Sequence, residues 1–396
     1  MALPGTQAPV PTTQAKPVVA VIPFTRAARK KSANLTSIGP TALATSATTL
    51  TPTQIIAAGY LRRVKLTVTG TVPSTNSATV VFAGDGPFSV LDQVSLTQPN
   101  GTPLIQPISG FDLYVINKYF AMDTGRFDPL SDPGYSAVTG SGATGGNFAF
   151  NLYIPVEVDE RDGLGALANM AANQAYLLQL NLAASASVYS TAPTALPNIT
   201  ITATMEYYSA PAATTSNGVA QQTAPTPIGS LNLIQVQTPP ITASTSMKSQ
   251  LLNVGNAIRV VAFILRDSSS VRTETDFPAT VNIKFLGDVL FYKTKIQWNA
   301  EMAAQYQYTA GKTAKATLNS LDNGVFILTD FVNSGGSGAN RVDNAANRDL
   351  LLLTDSASLF EFEALAAYGS GASSLKVLTN CINPSSLEAL FHPFIS

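Results

Sequence analysis

Phe148-Ala149-Phe150-Asn151-Leu152-Tyr153-Ile154, followed by Asp159-Glu160-Arg161-Asp162-Gly163 and then Tyr176-Leu177-Leu178, is the stretch whose reading decides the fold. In its first part the large apolar residues fall on every second position, the period of a strand with one buried face. The carboxylates and turn formers that follow precede Leu164, Leu167 and Met170, whose spacing predicts a short helix with acids at its positive end. Alternation returns at Tyr176, Leu178, Leu180 and Leu182. The pattern has an echo near the C-terminus, where Val325-Phe326-Ile327-Leu328 follows Asn323-Gly324. There Ala345-Ala346-Asn347-Arg348 leads into Leu350–Leu353, as Ala171-Ala172-Asn173-Gln174 leads into Tyr176-Leu177-Leu178. One fold used twice is the expectation.

Composition narrows the function classes. A chain of 396 residues is long for one core and comfortable for two domains. Only 12% of residues are charged while 45% are hydrophobic, which suits a chain whose surface is largely covered by neighbouring subunits. The net charge of −1 argues against a nucleic-acid binder, which shows a basic excess or stripe. Cys381 is the single cysteine, so no intrachain disulfide can form. No apolar run approaches a membrane span, and Val18–Ile22, short and bounded by Pro17 and Pro23, is not the expected form of a signal peptide.

Residues 1–55 are rich in Pro, Thr and Ala and lack Asp and Glu, but carry Lys16, Arg26, Arg29, Lys30 and Lys31. They are read as an extended basic arm. Such a composition suits a disordered tail, and equally an arm that crosses between subunits or lies against an anionic membrane surface. Residues 56–208 read as a first unit, 209–228 as a linker of Pro, Ala, Thr, Ser, Asn and Gln, and 229–396 as a second unit.

Within the first unit strands are predicted at Val64–Val68, Thr79–Phe82, Leu91–Leu96 and Ile199–Tyr207, with a turn at Gln98-Pro99-Asn100-Gly101. Ser109-Gly110-Phe111-Asp112 has capping-box spacing ahead of Leu113, Ile116 and Phe120, which predicts a helix. Residues 121–147 read as loop. In the second unit Ala257–Leu265 matches Tyr60 onward, with Arg259 beneath Arg62, and Leu286-Gly287-Asp288-Val289 matches Leu91-Asp92-Gln93-Val94. A helix is expected at Trp298–Ala304 with Asn299 as its cap, then strands at Phe360–Ala364 and Leu375–Leu378. Short strands separated by turns, in two tandem sets, predict an all-β chain of two eight-stranded jelly-roll sandwiches with short helices in the loops.

With that order the sequence resembles the double jelly-roll major capsid proteins of tailless, internal-membrane-containing double-stranded DNA bacteriophages, the tectivirus type. The residues that carry the resemblance are Gly86-Pro87 with Leu91, Gln93 and Val94, then Pro99-Asn100-Gly101, then Ser109-Gly110-Phe111. Ile154-Pro155 through Asp159, Asp162 and Leu164–Leu167 into Leu178 complete it. It spans about residues 60–300 as a diffuse pattern, and the arm departs from the helical, Gln-rich N-terminus of that group. The resemblance implies a homotrimer whose six sandwiches form a pseudo-hexagonal capsomer of an icosahedral shell over an internal membrane, and no catalysis. It further implies outward loops after the third strand and near 333–346, and an inward arm. The partners it implies are the chain itself, minor capsid and vertex proteins and, through the arm, the viral membrane, with no sequence-specific nucleic acid. The location it implies is the virion shell, assembled in the host cytoplasm.

Candidate chemical motifs do not compete with this reading. Gly140-x-Gly142-x-x-Gly145 precedes a strand where a dinucleotide fingerprint opens a helix, and reads as a flexible loop. Gly311-Lys312-Thr313 ends like a phosphate loop, but Tyr306 stands where its first glycine belongs. His392 is the lone histidine, which excludes multi-histidine metal sites, so no cofactor or metal is expected. Glu157, Asp159, Glu160 and Asp162 are a carboxylate pair, a cation site or, as the bland reading, a solvated hinge and helix cap; Met170 stands where a calcium loop needs its last Glu. A secreted two-sandwich glycan-binding adhesin and a glycan-active enzyme remain the alternatives.

Overall fold

The computed structural model describes residues 21–35, 37–120, 127–160, 162–226, 228–306, 321–328 and 351–383. Among the described residues, sixteen strands make the framework, eight per unit. In the first unit they are β1 Lys30–Asn34, β2 Thr48–Thr49, β3 Tyr60–Thr71, β4 Leu91–Thr97, β5 Pro103–Ile108, β6 Phe148–Pro155, β7 Leu177–Leu182 and β8 Asn198–Tyr208. In the second they are β9 Leu231–Gln237, β10 Lys248–Leu251, β11 Ala257–Asp267, β12 Thr280–Phe285, β13 Asp288–Thr294, β14 Val325–Leu328, β15 Phe360–Ala364 and β16 Ala372–Asn383.

The pairing order is the same in both. One sheet runs β1-β8-β3-β6 and its counterpart β9-β16-β11-β14, and the facing sheets run β5-β4-β7-β2 and β13-β12-β15-β10. This interleaving of early and late strands is a jelly roll, so the expected pair of jelly-roll sandwiches is the architecture observed. The alternation read from sequence is realised in the register: Val64, Leu66 and Val68 of β3 lie opposite Ile154, Leu152 and Phe150 of β6 and are all buried. Nearly all of β11 is buried, with no alternation over Ala257–Leu265, because it is covered on both faces.

Helix α1, Gly110–Tyr119, follows β5, and helix α2, Lys295–Tyr306, follows β13. Both begin with a capping box. The Asp112 N–H donates to Ser109 Oγ at 3.1 Å and the Ser109 N–H to Asp112 Oδ2 at 2.9 Å. The Gln297 N–H donates to Thr294 Oγ1 at 3.2 Å and the Thr294 N–H to Gln297 Oε1 at 3.4 Å. Asn299 is therefore inside α2, not its cap; its amide donates to Glu274 Oε1 at 2.6 Å. Trp298 pins α2 to the second core, packed against Phe263, Phe277 and Phe326 with its Nε1 donating to Ile327 O at 2.7 Å. One hydrophobic cluster runs through both sandwiches.

Other local expectations change. No helix forms at Leu164–Met170: Gly163 and Gly165 both have positive φ, Leu164 donates its N–H to Asp162 Oδ1, and Leu167–Ala168 pairs as a short strand with β3. Two left-handed residues in three are incompatible with a helical turn. Gly140–Gly142 is not free loop but a short strand against Asn76–Phe82. Leu286 is not the counterpart of Leu91; it lies in the β12–β13 turn, one residue past the strand that corresponds to β4. Gly311–Thr313, the 333–346 loop, Ala345–Arg348 and His392 lie outside the described residues.

Residues 30–35 and 37–54 of the predicted arm are built into the sandwich. Lys30–Asn34 pairs with β8 from Lys30 opposite Tyr208 to Asn34 opposite Thr204, and Ile38–Ala42 pairs with the other end of β8. Ahead of them Phe24, on a helical turn Phe24–Ala27, sits edge-on between Tyr60 and Tyr208. Across the 209–226 segment, Ile22 bridges Gln221 and the Phe24 N–H donates to Gln222 Oε1 at 2.9 Å.

Candidate functional site at the junction of the units

The densest buried chemistry lies between the sandwiches. β5 of the first unit and β9 of the second run parallel, Ile105 beside Ile234, joining two sheets into one of ten strands. Helix α1 is wedged beside this seam, and all ten of its residues are buried.

Charge pairs cross the seam. Asp85 accepts from Arg266 at 2.7 Å and from Arg272 at 2.5 Å; burial would raise its pKa, but the two guanidinium groups outweigh it and hold it below the usual aspartate value. Arg272 also donates to Gly84 O at 2.6 Å and Asn323 O at 2.5 Å, and its guanidinium lies 4.3 Å from the Phe111 ring centroid. Lys376 reaches Asp112 at 2.9 Å, and Lys118 reaches Asp322 at 2.8 Å, where the Tyr119 and Tyr114 hydroxyls also donate. A cleft of about 450 Å³ opens beside these groups, lined in part by Asp85, Ser89, Arg266, Arg272 and Lys376.

The acidic segment belongs to this junction. Glu157 and Asp159 are only 1% and 2% exposed, so the solvated hinge is corrected to a buried strap. Glu157 Oε2 accepts from Arg62 Nε at 2.8 Å. Asp159 faces Arg259, whose pKa burial pushes down to about 10 against the opposing field of that carboxylate. Arg259 Nε donates to Asn380 Oδ1 at 2.6 Å, and Asn380 to Asn232 Oδ1 at 2.6 Å. Val158 and Leu164 pack with Ala257, Leu351 and Ile382 of the second unit. The desolvation of buried charges offsets much of their attraction, so such pairs add little net stability, whereas breaking one leaves its partner charged and buried.

The basic residues singled out from sequence are not brought together at this seam. Arg26 is exposed on the Phe24 helical turn, Arg29 is exposed with its N–H on Ser209 Oγ, and Lys31 is exposed on β1. Lys30, also on β1, pairs with Glu160. Lys16 lies outside the described residues. Asp85, Arg272, Lys118, Asp322 and Lys376 escaped the sequence reading because no local pattern links them. Arg62 and Arg259 did carry a signal, an arginine at the same place in two matching strands.

Among the described residues no three His, Cys, Asp or Glu side chains are gathered as a metal site. Cys381 is buried and its thiol is pushed up to about 12, chiefly by burial. No helix among them is long and apolar enough to cross a membrane.

No protein-family model matches the chain, and no curated protein matches it by sequence. Solved structures do match. The STIV MCP, from Sulfolobus Turreted Icosahedral Virus, superposes with a TM-score of 0.60 at 14% identity, over 93% of this chain and 99% of its own. The chain has the double jelly-roll fold. The PBCV-1 virus capsid matches at a TM-score of 0.55 and 13% identity, covering 90% of this chain and 93% of that one. The major capsid protein P2 from bacteriophage PM2 matches at 0.50 and 11%, covering 91% and 100%. At these identities the likeness is one of fold. In this double jelly roll the seam described above is what fixes the two sandwiches side by side.

Proposed function

We propose that the protein is a viral major capsid protein with a structural, not catalytic, role. Three copies form a pseudo-hexagonal capsomer that tiles an icosahedral virion shell over an internal membrane. The observation that carries this reading is the match to the STIV MCP over nearly the whole of both chains. The sparse charge agrees with it, since an obligate assembly covers thousands of Å² of largely apolar surface. Neighbouring capsomers, minor capsid and vertex proteins are the partners, and assembly takes place in the host cytoplasm.

The basic N-terminal segment is proposed to face inward, with Lys16, Arg26, Arg29, Lys30 and Lys31 toward anionic lipid or a neighbouring subunit. Each basic residue near such a surface contributes about 1 kcal/mol. Light scattering on the purified chain tests the assembly: a species of about three times 41.4 kDa is expected, and a clean monomer overturns the reading. For the membrane, the informative variant is Lys16→Ser with Arg26→Ser, Arg29→Ser and Lys31→Ser, which leaves Lys30 in its pair with Glu160, because a deletion through residue 55 also removes β1 and β2. Trimers that persist but lose co-sedimentation with phosphatidylserine vesicles support the membrane role; unchanged co-sedimentation refutes it.

A further inference from the structure

The Lys118–Asp322 pair, which crosses the seam from α1 to the turn before β14, is drier than its neighbours. The two residues are 6% and 4% exposed, with Lys118 Nζ 2.8 Å from Asp322 Oδ1. In the Lys376–Asp112 pair of the same seam the lysine side chain is 28% exposed, so its ammonium keeps contact with water. Around the Lys118 ammonium stand instead the rings of Tyr114 and Tyr119, their centroids 5.7 and 5.4 Å away. An amine and a carboxyl held together without water are the two halves of an amide. Burial disfavours charge, and charge is what keeps the two from reacting in water.

The other groups that such a condensation needs converge on the pair. The Tyr119 hydroxyl donates to Asp322 Oδ1, and so does Tyr114 at 3.4 Å, the arrangement of an oxyanion hole. Burial, together with the Asp322 and Asp128 carboxylates, pushes the Tyr114 hydroxyl well above its usual pKa and keeps it a donor. A second carboxylate shares the amine: Asp128 Oδ2 lies 3.8 Å from Lys118 Nζ, and its side chain, 33% exposed, opens to solvent. The frame is rigid. Tyr114, Lys118 and Tyr119 sit on one buried helix, and Arg272 Nη1 donates to Leu321 O and Asn323 O, at 3.1 and 2.5 Å, on either side of Asp322. Holding two reacting groups near the attack separation of about 3–3.5 Å supplies much of what an uncatalysed reaction lacks.

We propose that Lys118 and Asp322 condense into an intramolecular isopeptide bond that joins the two sandwiches covalently. Asp128 relays one ammonium proton to the Asp322 carboxylate, leaving a neutral amine beside a neutral acid. Lys118 Nζ attacks Asp322 Cγ, and the negative charge that develops on Oδ1 is held by the two tyrosine hydroxyls. Asp128 then takes a second proton from the attacking nitrogen and hands it to the departing hydroxyl, which leaves as water. A Cγ–N bond replaces a Cγ–O bond, nothing is oxidised or reduced, and no co-reactant is consumed. The chain acts once, on itself, so the outcome is a modification and not turnover. The bond ties residues 204 apart in the chain and holds the seam even when the ion pairs beside it are titrated. It does not rest on the capsomer reading.

Intact mass spectrometry of the purified full chain, denatured for the measurement, reads the bond directly. The mass is expected to fall short of the sequence mass by one water, and a protease digest to contain a branched peptide joining Lys118 to Asp322. Asp322→Ala and Lys118→Met should each show their full sequence mass. Because either change could also disturb folding, Asp128→Asn is the sharper variant: it keeps the reacting pair, should match the parent by circular dichroism, and should form the bond about 10²–10⁴-fold more slowly. A parent that keeps its full sequence mass after prolonged incubation overturns the proposal. So does a missing water that maps elsewhere, as dehydration at Asp162-Gly163 would. An Asp128→Asn variant that links as fast as the parent overturns the proton relay assigned to Asp128.

Discussion

Arg62 and Arg259 are the third residues of β3 and β11, the same strand of the two sandwiches, and one strap of the first unit addresses both. Glu157 binds Arg62 at 2.8 Å, and Asp159, two residues on, faces Arg259. Because successive strand-like residues point to opposite sides, two carboxylates at this spacing share one side and sit along the seam.

Without Glu157, Arg62 keeps only the more distant Glu160 at 3.4 Å and Glu206 at 3.9 Å. Glu157→Gln is therefore expected to lower stability by somewhat less than the about 3–5 kcal/mol of a fully stranded buried charge, and Glu157→Gln with Arg62→Met to recover part of it. Urea midpoints for the parent, the single and the double variant check this. A double variant no better than the single one would mean Arg62 is satisfied by other groups.

Asp322 serves Lys118 and two tyrosine hydroxyls at the other end of the seam. Asp322→Ala is expected to cost about 3–5 kcal/mol by the same reasoning. Lysine 118 would then sit among Tyr114 and Tyr119 with Asp128 at 3.8 Å as its remaining acid. Limited proteolysis should cut between the units sooner in this variant than in the parent.

Acid should loosen the junction through Asp85. Its folded pKa lies below the ordinary aspartate value, so its contribution is complete above about pH 4 and fades as pH falls through the folded value. Across that window the parent should lose stability more steeply than Asp85→Asn, in which the arginines face a neutral amide throughout. Equal slopes for the two proteins would remove Asp85 from the acid response.

Trp298 is the single tryptophan and belongs to the second core. Its emission should shift to the red when that sandwich opens, giving a reporter blind to the first. Trp298→Ala is expected to cost about 3–5 kcal/mol, read from circular dichroism melts because the fluorophore is gone.

The buried Cys381 thiol, pushed up to about 12, should be inert to Ellman's reagent at pH 8 in the folded chain and react at once in urea. Rapid reaction without denaturant would show that β16 opens locally.

Much of this fold was legible along the chain. The alternation in Phe148–Ile154, the capping box at Ser109–Asp112 and the arginines at 62 and 259 are local signals, and each depends on a period or spacing that a strand or helix must satisfy. The helix read at Leu164–Met170 was not, because apolar spacing is the same whether or not the intervening glycines have positive φ. Gly163 does: a Cβ there would meet the Phe24 ring at 3.0 Å, a contact invisible until residues far apart in sequence are adjacent. Composition likewise read Lys30–Asn34 as arm, since an edge strand lined with lysine and serine looks like a tail until β8 is placed beside it.

What the sequence determined by itself is the two-fold repetition of strand periods and of helix starts, and with it a pair of all-β sandwiches. What only the tertiary structure decided is how the sandwiches meet. Asp85 finds Arg272, Lys118 finds Asp322 and Asp112 finds Lys376 across 187, 204 and 264 residues. Backbone periodicity is a local property that the sequence carries openly, whereas a long-range ion pair depends on the three-dimensional path between its ends.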